Sequence, residues 1–142
     1  MTDLDYQAVF QAMPGPMLLL NREFTVLDVN NDYLDATRRE KGQVVGQHVL
    51  NAVPVDEEHF PSTSGNMVSS LESVRATGET DKMDLFRYDL EIPGKPGVFE
   101  ERYWAVVNAP VIGPEGQVEL ILLQAMDATA TVRSVLKAQT TG

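Results

Sequence analysis

Val118-Glu-Leu-Ile-Leu-Leu-Gln-Ala-Met126, Asp127-Ala-Thr129 and Ala130-Thr-Val-Arg-Ser-Val-Leu-Lys-Ala-Gln139 read in succession as a long apolar strand, a hinge and a short helix. The alternate sets Leu120/Leu122/Gln124/Met126 and Ile121/Leu123/Ala125 are both mainly apolar, so the strand needs cover on both faces. Helices from the middle of the chain can cover one face. The other calls for the amino-terminal helix or a second copy of the protein. A helix as short as the final one is marginal in water without tertiary contacts. It is expected to open a connector to another chain or domain. Ala128, Val132, Val135 and Leu136 are spaced to begin a helical seam, which suits a parallel dimer.

Working outward, residues 83–92 and 99–111 read as two more strands, separated by Pro93-Gly-Lys-Pro-Gly97 and turned toward the last strand by Gly113-Pro-Glu-Gly116. Near the amino end, Tyr6, Val9, Phe10 and Met13 make one apolar stripe on a helix over 3–13, with Asp3 or Asp5 as its cap. Pro14-Gly15-Pro16 ends it, and strands over 17–20 and 25–29 follow as a hairpin. A short helix over 33–37 and two helical turns near 41–45 and 49–53 lead to a polar loop at 54–64. A longer helix over 66–76 stops at Gly78. The expected fold is α+β: a five-stranded antiparallel sheet with short helices on one face, flanked by an amino-terminal amphipathic helix and a carboxy-terminal exit helix.

The 142 residues suffice for one domain with a buried core. No run approaches the roughly 18 apolar residues of a membrane span, and the polar, acidic amino end is not expected to act as a secretory signal. These features make the cytoplasm the expected compartment. A net charge of -10 repels a phosphate backbone, so no nucleic-acid partner is expected. With no cysteine, disulfides and thiolate chemistry are excluded. Gly-x-x-x-x-Gly-Lys and Gly-x-Gly-x-x-Gly are both absent, so any kinase activity would lie outside these residues.

The element order resembles the PAS sensory domain, above all those of bacterial histidine kinases and related signalling proteins. The resemblance is carried by Val29-Asn30-Asn-Asp-Tyr33, Val45-Gly46, Asn108-Ala-Pro110, Gly113-Pro-Glu-Gly116, Asp127-Ala-Thr129 and Glu100-Glu-Arg-Tyr-Trp104. It spans about Tyr6 to Leu136 and rests on the order of these motifs rather than on any one. It implies a flanking helix at 1–15, a core at 16–127 and the start of a signalling helix at 128–142. The implied function is a sensory and dimerisation module that detects a small ligand or partner and signals through its exit helix to an output domain. Asp127 and Thr129 would be the exit residues, as helix cap and link to the sheet. The family's middle position is usually aliphatic, whereas Ala128 is small.

The resemblance also places Trp104, Val106 and Asn108 on the inward face of the fourth strand, with Ile121 and Leu123 beside them. Tyr33 and Asp89 join this candidate ligand pocket, and Arg87 and Asp28 are further polar candidates. Simple alternation would turn Phe86 and Tyr88 inward instead. Trp104 can stack and donate one hydrogen bond, while Asn108 can donate and accept. Two readings stay open: a pocket for a small organic ligand, or a core filled by its own side chains. Tyr6, Val9, Phe10, Met13, Leu120 and Leu122 are the candidate homodimer interface.

The cofactor stays unknown. The family's cysteine-linked flavin and chromophore chemistry has no cysteine here. Haem-binding members use a histidine, but His48 and His59 sit at no metal-type spacing and read as surface residues. A second class of function is a small enzyme of conical α+β type, with an Asp–His pair drawn from Asp28, Asp32, Asp35 and His48. Nothing in their spacing demands it.

Overall fold

The computed structural model describes residues 4–52 and 62–141. The sheet grows from hairpins. β1 (Met17–Leu20) pairs with β2 (Val26–Val29) on one side and with the last strand, β8 (Val118–Asp127), on the other. β8 in turn pairs with β7 (Tyr103–Ile112) over its whole length, from Trp104 opposite Asp127 to Ile112 opposite Val118. Beyond β7 lie β3 (Asp81–Lys82) and β4 (Phe86–Arg87). Every pairing is antiparallel, in the order β2-β1-β8-β7-β3, with β4 also on β7.

α1 (Tyr6–Ala12) precedes the sheet, and the Asp5 carboxylate caps it by accepting the Ala8 N–H at 3.1 Å. Between β2 and β3 run α2 (Asn31–Thr37), α3 (Lys41–Val44), α4 (Val49–Ala52) and α5 (Thr63–Thr77). α2 starts earlier than the hydrophobic pattern suggests, because the Asn30 side chain accepts the Tyr33 N–H and fixes the start. α5 ends where expected, with Gly78 left-handed at φ 70°. α6 (Thr129–Thr141) leaves from the end of β8.

Period-two burial sorts the sheet into two faces. Leu18, Leu20, Ile121, Leu123, Val106 and Trp104 point inward and are buried against Tyr33, Val44, Val49, Met67, Leu71 and Val74 of the helices. Leu19, Leu120 and Leu122 point outward and are only half-buried. The turn out of α1 grazes that outer face: Gly15 has φ 89°, and a Cβ there would meet Gln124 Nε2 at 3.0 Å. α1 buries no residue; Tyr6 and Val9 are exposed, Phe10 and Met13 half-buried.

The strand expected over 83–92 is broken. Pairing with β7 shifts by one residue between Lys82 opposite Val107 and Phe86 opposite Trp104, as a bulge would produce. Past β4, the Asp89 carboxylate accepts the Arg102 N–H at 3.2 Å, so a side chain interrupts the ladder. The chain then forms a separate two-stranded piece, β5 (Leu90–Glu91) with β6 (Phe99–Glu100). The same interruption splits the strand expected over 99–111 into β6 and β7. Of the loop expected at 54–64, residues 54–61 lie outside the described residues, as does His59, while α5 already begins at Thr63.

Candidate functional site

The inner-face candidates meet on one surface. Trp104 is 2% exposed and donates its indole N–H to the Tyr88 carbonyl at 2.8 Å, its ring tilted against Tyr88. Val106, Ile121, Leu123 and Tyr33 are buried in the same cluster. The Tyr33 hydroxyl reaches the Ala52 carbonyl at 3.5 Å, and burial, with Tyr88 adding to it, pushes this phenol well above its ordinary pKa. Tyr88 is half-buried and Phe86 buried, as alternation along the third strand suggests.

Asn108, fully buried, begins a polar chain through the core. Its Nδ2 donates to Ser70 Oγ at 2.9 Å, and Ser70 Oγ donates to Asp81 Oδ2 at 2.6 Å. Because the Ser70 proton serves the carboxylate, Ser70 can only accept from Asn108, which fixes the amide orientation. Asn108 Oδ1 is then a buried acceptor that meets no donor among the described residues. Such an orphan costs about 1–3 kcal/mol. Beside this chain a cleft of about 370 Å³ is lined by Ser70, Asp81, Asn66, Met83 and Phe86. Ser70 and Asp81 have no signal in the sequence, since helix and edge strand meet here only through the fold.

Asp89 and Arg87 do not face that surface. Asp89 is half-buried, takes two bonds from the Arg87 guanidinium at 2.8 and 2.9 Å, and accepts from the Arg102 main chain. A carboxylate so engaged is held at the sheet edge rather than in the core. Asp28 pairs with Lys41 at 3.5 Å and accepts its neighbour's N–H.

At the exit, two bonds root α6 on Tyr103, the first residue of β7, and a third caps its start. The Tyr103 N–H donates to Thr129 Oγ1 at 2.9 Å, and the Tyr103 carbonyl accepts the Ala128 N–H at 2.7 Å. Asp127 Oδ1 accepts the Thr129 N–H at 2.9 Å, and its Oδ2 pairs with Arg102 at 2.7 Å. Burial alone would raise the Asp127 carboxyl, but the bonds from Thr129 and Arg102 outweigh it and hold it below its ordinary value. Arg102 also pairs with Glu100, and Glu100 with Arg38 at 3.1 Å. The Arg38 bond, helped by Arg102 and opposed by partial desolvation, keeps Glu100 below its ordinary value. Beyond this root α6 is almost wholly exposed, including Val135 and Leu136.

His48 accepts the Leu50 N–H through Nδ1 at 3.2 Å and meets the Phe24 ring edge-on. Asp32 accepts the Gly15 N–H, Asp28 is held by Lys41, and Asp35 is exposed, so no carboxylate pairs with His48 among the described residues. Nor, among them, does any group of three His, Cys, Asp or Glu side chains stand where a metal could be held. No helix of the described residues is long and apolar enough to cross a membrane.

Among curated protein sequences none matches the chain. Solved structures do. The PAS domain of Bordetella pertussis BvgS superposes with a TM-score of 0.60 at 18% identity, covering 96% of each chain. A PAS domain from Colwellia psychrerythraea gives 0.66 at 14%, covering 88% of this chain and 95% of that one. A sensory box sensor histidine kinase from Vibrio cholerae gives 0.54 at 14%, covering 87% and 88%. At such identities these likenesses establish the fold alone. The family model for the PAS fold matches residues 4–128, and with that span the chain belongs to the PAS family.

Proposed function

We propose that this PAS domain is a sensory and dimerisation module: a small organic ligand or a partner acts on its inner face, and α6 carries the change to an output domain such as a histidine kinase. One observation carries the reading. β7 holds Trp104, Val106 and Asn108 on its inner face, and its first residue, Tyr103, both donates to and accepts from the root of α6. A shift of β7 toward or away from the helices therefore pulls on the exit helix directly. The orphaned Asn108 oxygen marks where a ligand with an N–H or O–H would gain most, since it would satisfy an acceptor already desolvated.

Dimerisation is supported by what the outer surfaces leave uncovered. Leu19, Leu120 and Leu122 are half-buried on the outer sheet face, and Tyr6 and Val9 on α1 and Val135 and Leu136 on α6 are exposed. A second copy seated on α1 and the outer face would cover the first group, and paired exit helices the second. We place the module in the cytoplasm, its composition lacking cysteine and any apolar run of membrane length. Native mass spectrometry of protein purified from its own host tests the reading. A dimer with retained small-molecule mass is expected; a monomer with none would overturn both halves.

A further inference from the structure

A second cleft lies outside the inner face, between the end of α2 and the β5–β6 hairpin, with a volume of about 640 Å³. This falls within the range of roughly 300–1,000 Å³ typical of small-molecule sites. Its charge runs against the rest of the chain. Three cations, Arg38, Arg39 and Lys95, and two carboxylates, Asp89 and Glu91, line it, in a protein of net charge -10. The carboxylates are already engaged, Asp89 by Arg87 and Glu91 by the Gly97 N–H at 2.8 Å. Among the described residues Arg39 uses only Nη1, on the Ala52 carbonyl, and nothing engages the Lys95 ammonium. The remaining wall includes Phe99, which is 60% exposed, and Pro93 and Pro96.

Arg38 supplies the independent observation. It caps α2 in the left-handed conformation at φ 58°, uncommon for a side chain without a local amide. That turn carries its guanidinium across to the hairpin, where it donates to the Glu91 carbonyl at 3.0 Å and to Glu100. From there alternating charges run without a gap: Arg38 to Glu100, Glu100 to Arg102, Arg102 to Asp127, and Asp127 to the Thr129 N–H at the root of α6.

We propose that this cleft is an effector site for a small organic monocarboxylate with an apolar body, and that its occupancy reaches the exit helix through the Arg38–Glu100–Arg102–Asp127 chain. Arg38, Arg39 and Lys95 take the carboxylate, and Phe99 with the two prolines takes the apolar body. A phosphate dianion fits less well, because it would also face Glu91 and Asp89. A bound anion competes with Glu100 for Arg38, freeing Glu100 to draw Arg102 away from Asp127. The site itself stands apart from the inner-face reading; only its consequence rests on α6 being the output.

Amide NMR titration of the full chain with benzoate tests this. Saturable shifts are expected at the Glu91 and Gly97 amides and at Thr129. Benzyl alcohol, which lacks the charge, should produce none, and Lys95→Glu, an exposed change that leaves the core untouched, should weaken benzoate binding at least about tenfold. In Glu100→Gln the cleft shifts should persist while the Thr129 shift disappears. An absence of saturable shifts at the cleft, or an equal response from benzyl alcohol or in Lys95→Glu, overturns the site. Cleft shifts with Thr129 unmoved in the native chain overturn the relay, and do so without bearing on the inner face or the dimer.

Discussion

β7 and β8 form a long ladder with a single register shift at its far end, between Val111 and Ile112, whereas the β3–β6 segment is broken into two-residue pieces, of which β5 and β6 pair apart from the main sheet. The difference lies in what supplies the hydrogen bonds. Along β7–β8 the backbone pairs with itself, and inward side chains are free to be Trp104, Val106, Ile121 and Leu123. Along the broken edge, carboxylates and guanidinium groups stand in: Asp89 takes the Arg102 N–H, Arg38 donates to the Glu91 carbonyl, and Arg102 links Glu100 to Asp127. The regular part holds the fold. Among the described residues the irregular part holds nearly all the charge pairs, and with them the root of the exit helix, as expected where a fold keeps elements of low local stability.

Truncation separates the two regions most sharply. Trp104→Ala should cost about 3–5 kcal/mol in denaturant unfolding, the range for a buried aromatic. Phe99→Ala, on the exposed side of β6, should change stability by less than about 0.5 kcal/mol. Similar losses at both positions would erase the distinction. At the junction, Thr129→Val leaves the Tyr103 N–H without its acceptor at a nearly buried position. It should cost about 1–3 kcal/mol, concentrated in faster amide exchange over the first turn of α6.

Acid should loosen the irregular part first. Asp127 and Glu100 both titrate below their ordinary values, so the folded state binds fewer protons at these groups than the unfolded chain. Their contribution is therefore complete above the ordinary values of 3.8 and 4.5, and is lost as pH falls through and below them. Amide exchange at Thr129 should rise over that window ahead of exchange at Leu122, and simultaneous loss would place both in one cooperative unit. The Lys41–Asp28 pair also contributes little, since a half-exposed lysine makes Lys41→Ala worth at most about 1 kcal/mol.

The same contrast explains what was legible in the sequence. β8 shows in its long apolar run, β7 in the turns that bound it, and the ends of α1 and α5 in the acidic cap and Gly78, because those signals are local. Asp127 and Thr129 could be named as exit residues from their motif, but not their partners. Arg38 meets Glu100 across 62 residues of sequence, and Ser70 meets Asn108 across 38, so neither contact leaves a spacing to read. Asp89 is placed inward by the resemblance alone; alternation turns Phe86 and Tyr88 inward, and those are the side chains packed on the core, while the main-chain bond that Asp89 takes from Arg102 leaves no spacing to read. The outer cleft was invisible for the same cause, being built from the end of α2 and a hairpin that pairs apart from the main sheet.

The link between the inner face and the exit helix can be read from one pair of amides. Exchange at Tyr103 and Thr129 should be measured in the native chain and in Asn108→Ala, which alters β7 on its inner face five residues from the α6 root. If β7 carries the signal, both amides exchange faster by a common factor in the variant, while Leu19 in β1 keeps its protection. Unchanged exchange at Tyr103 and Thr129, with the Asn108 environment visibly altered, would mean that the inner face and the exit helix are not coupled through this strand.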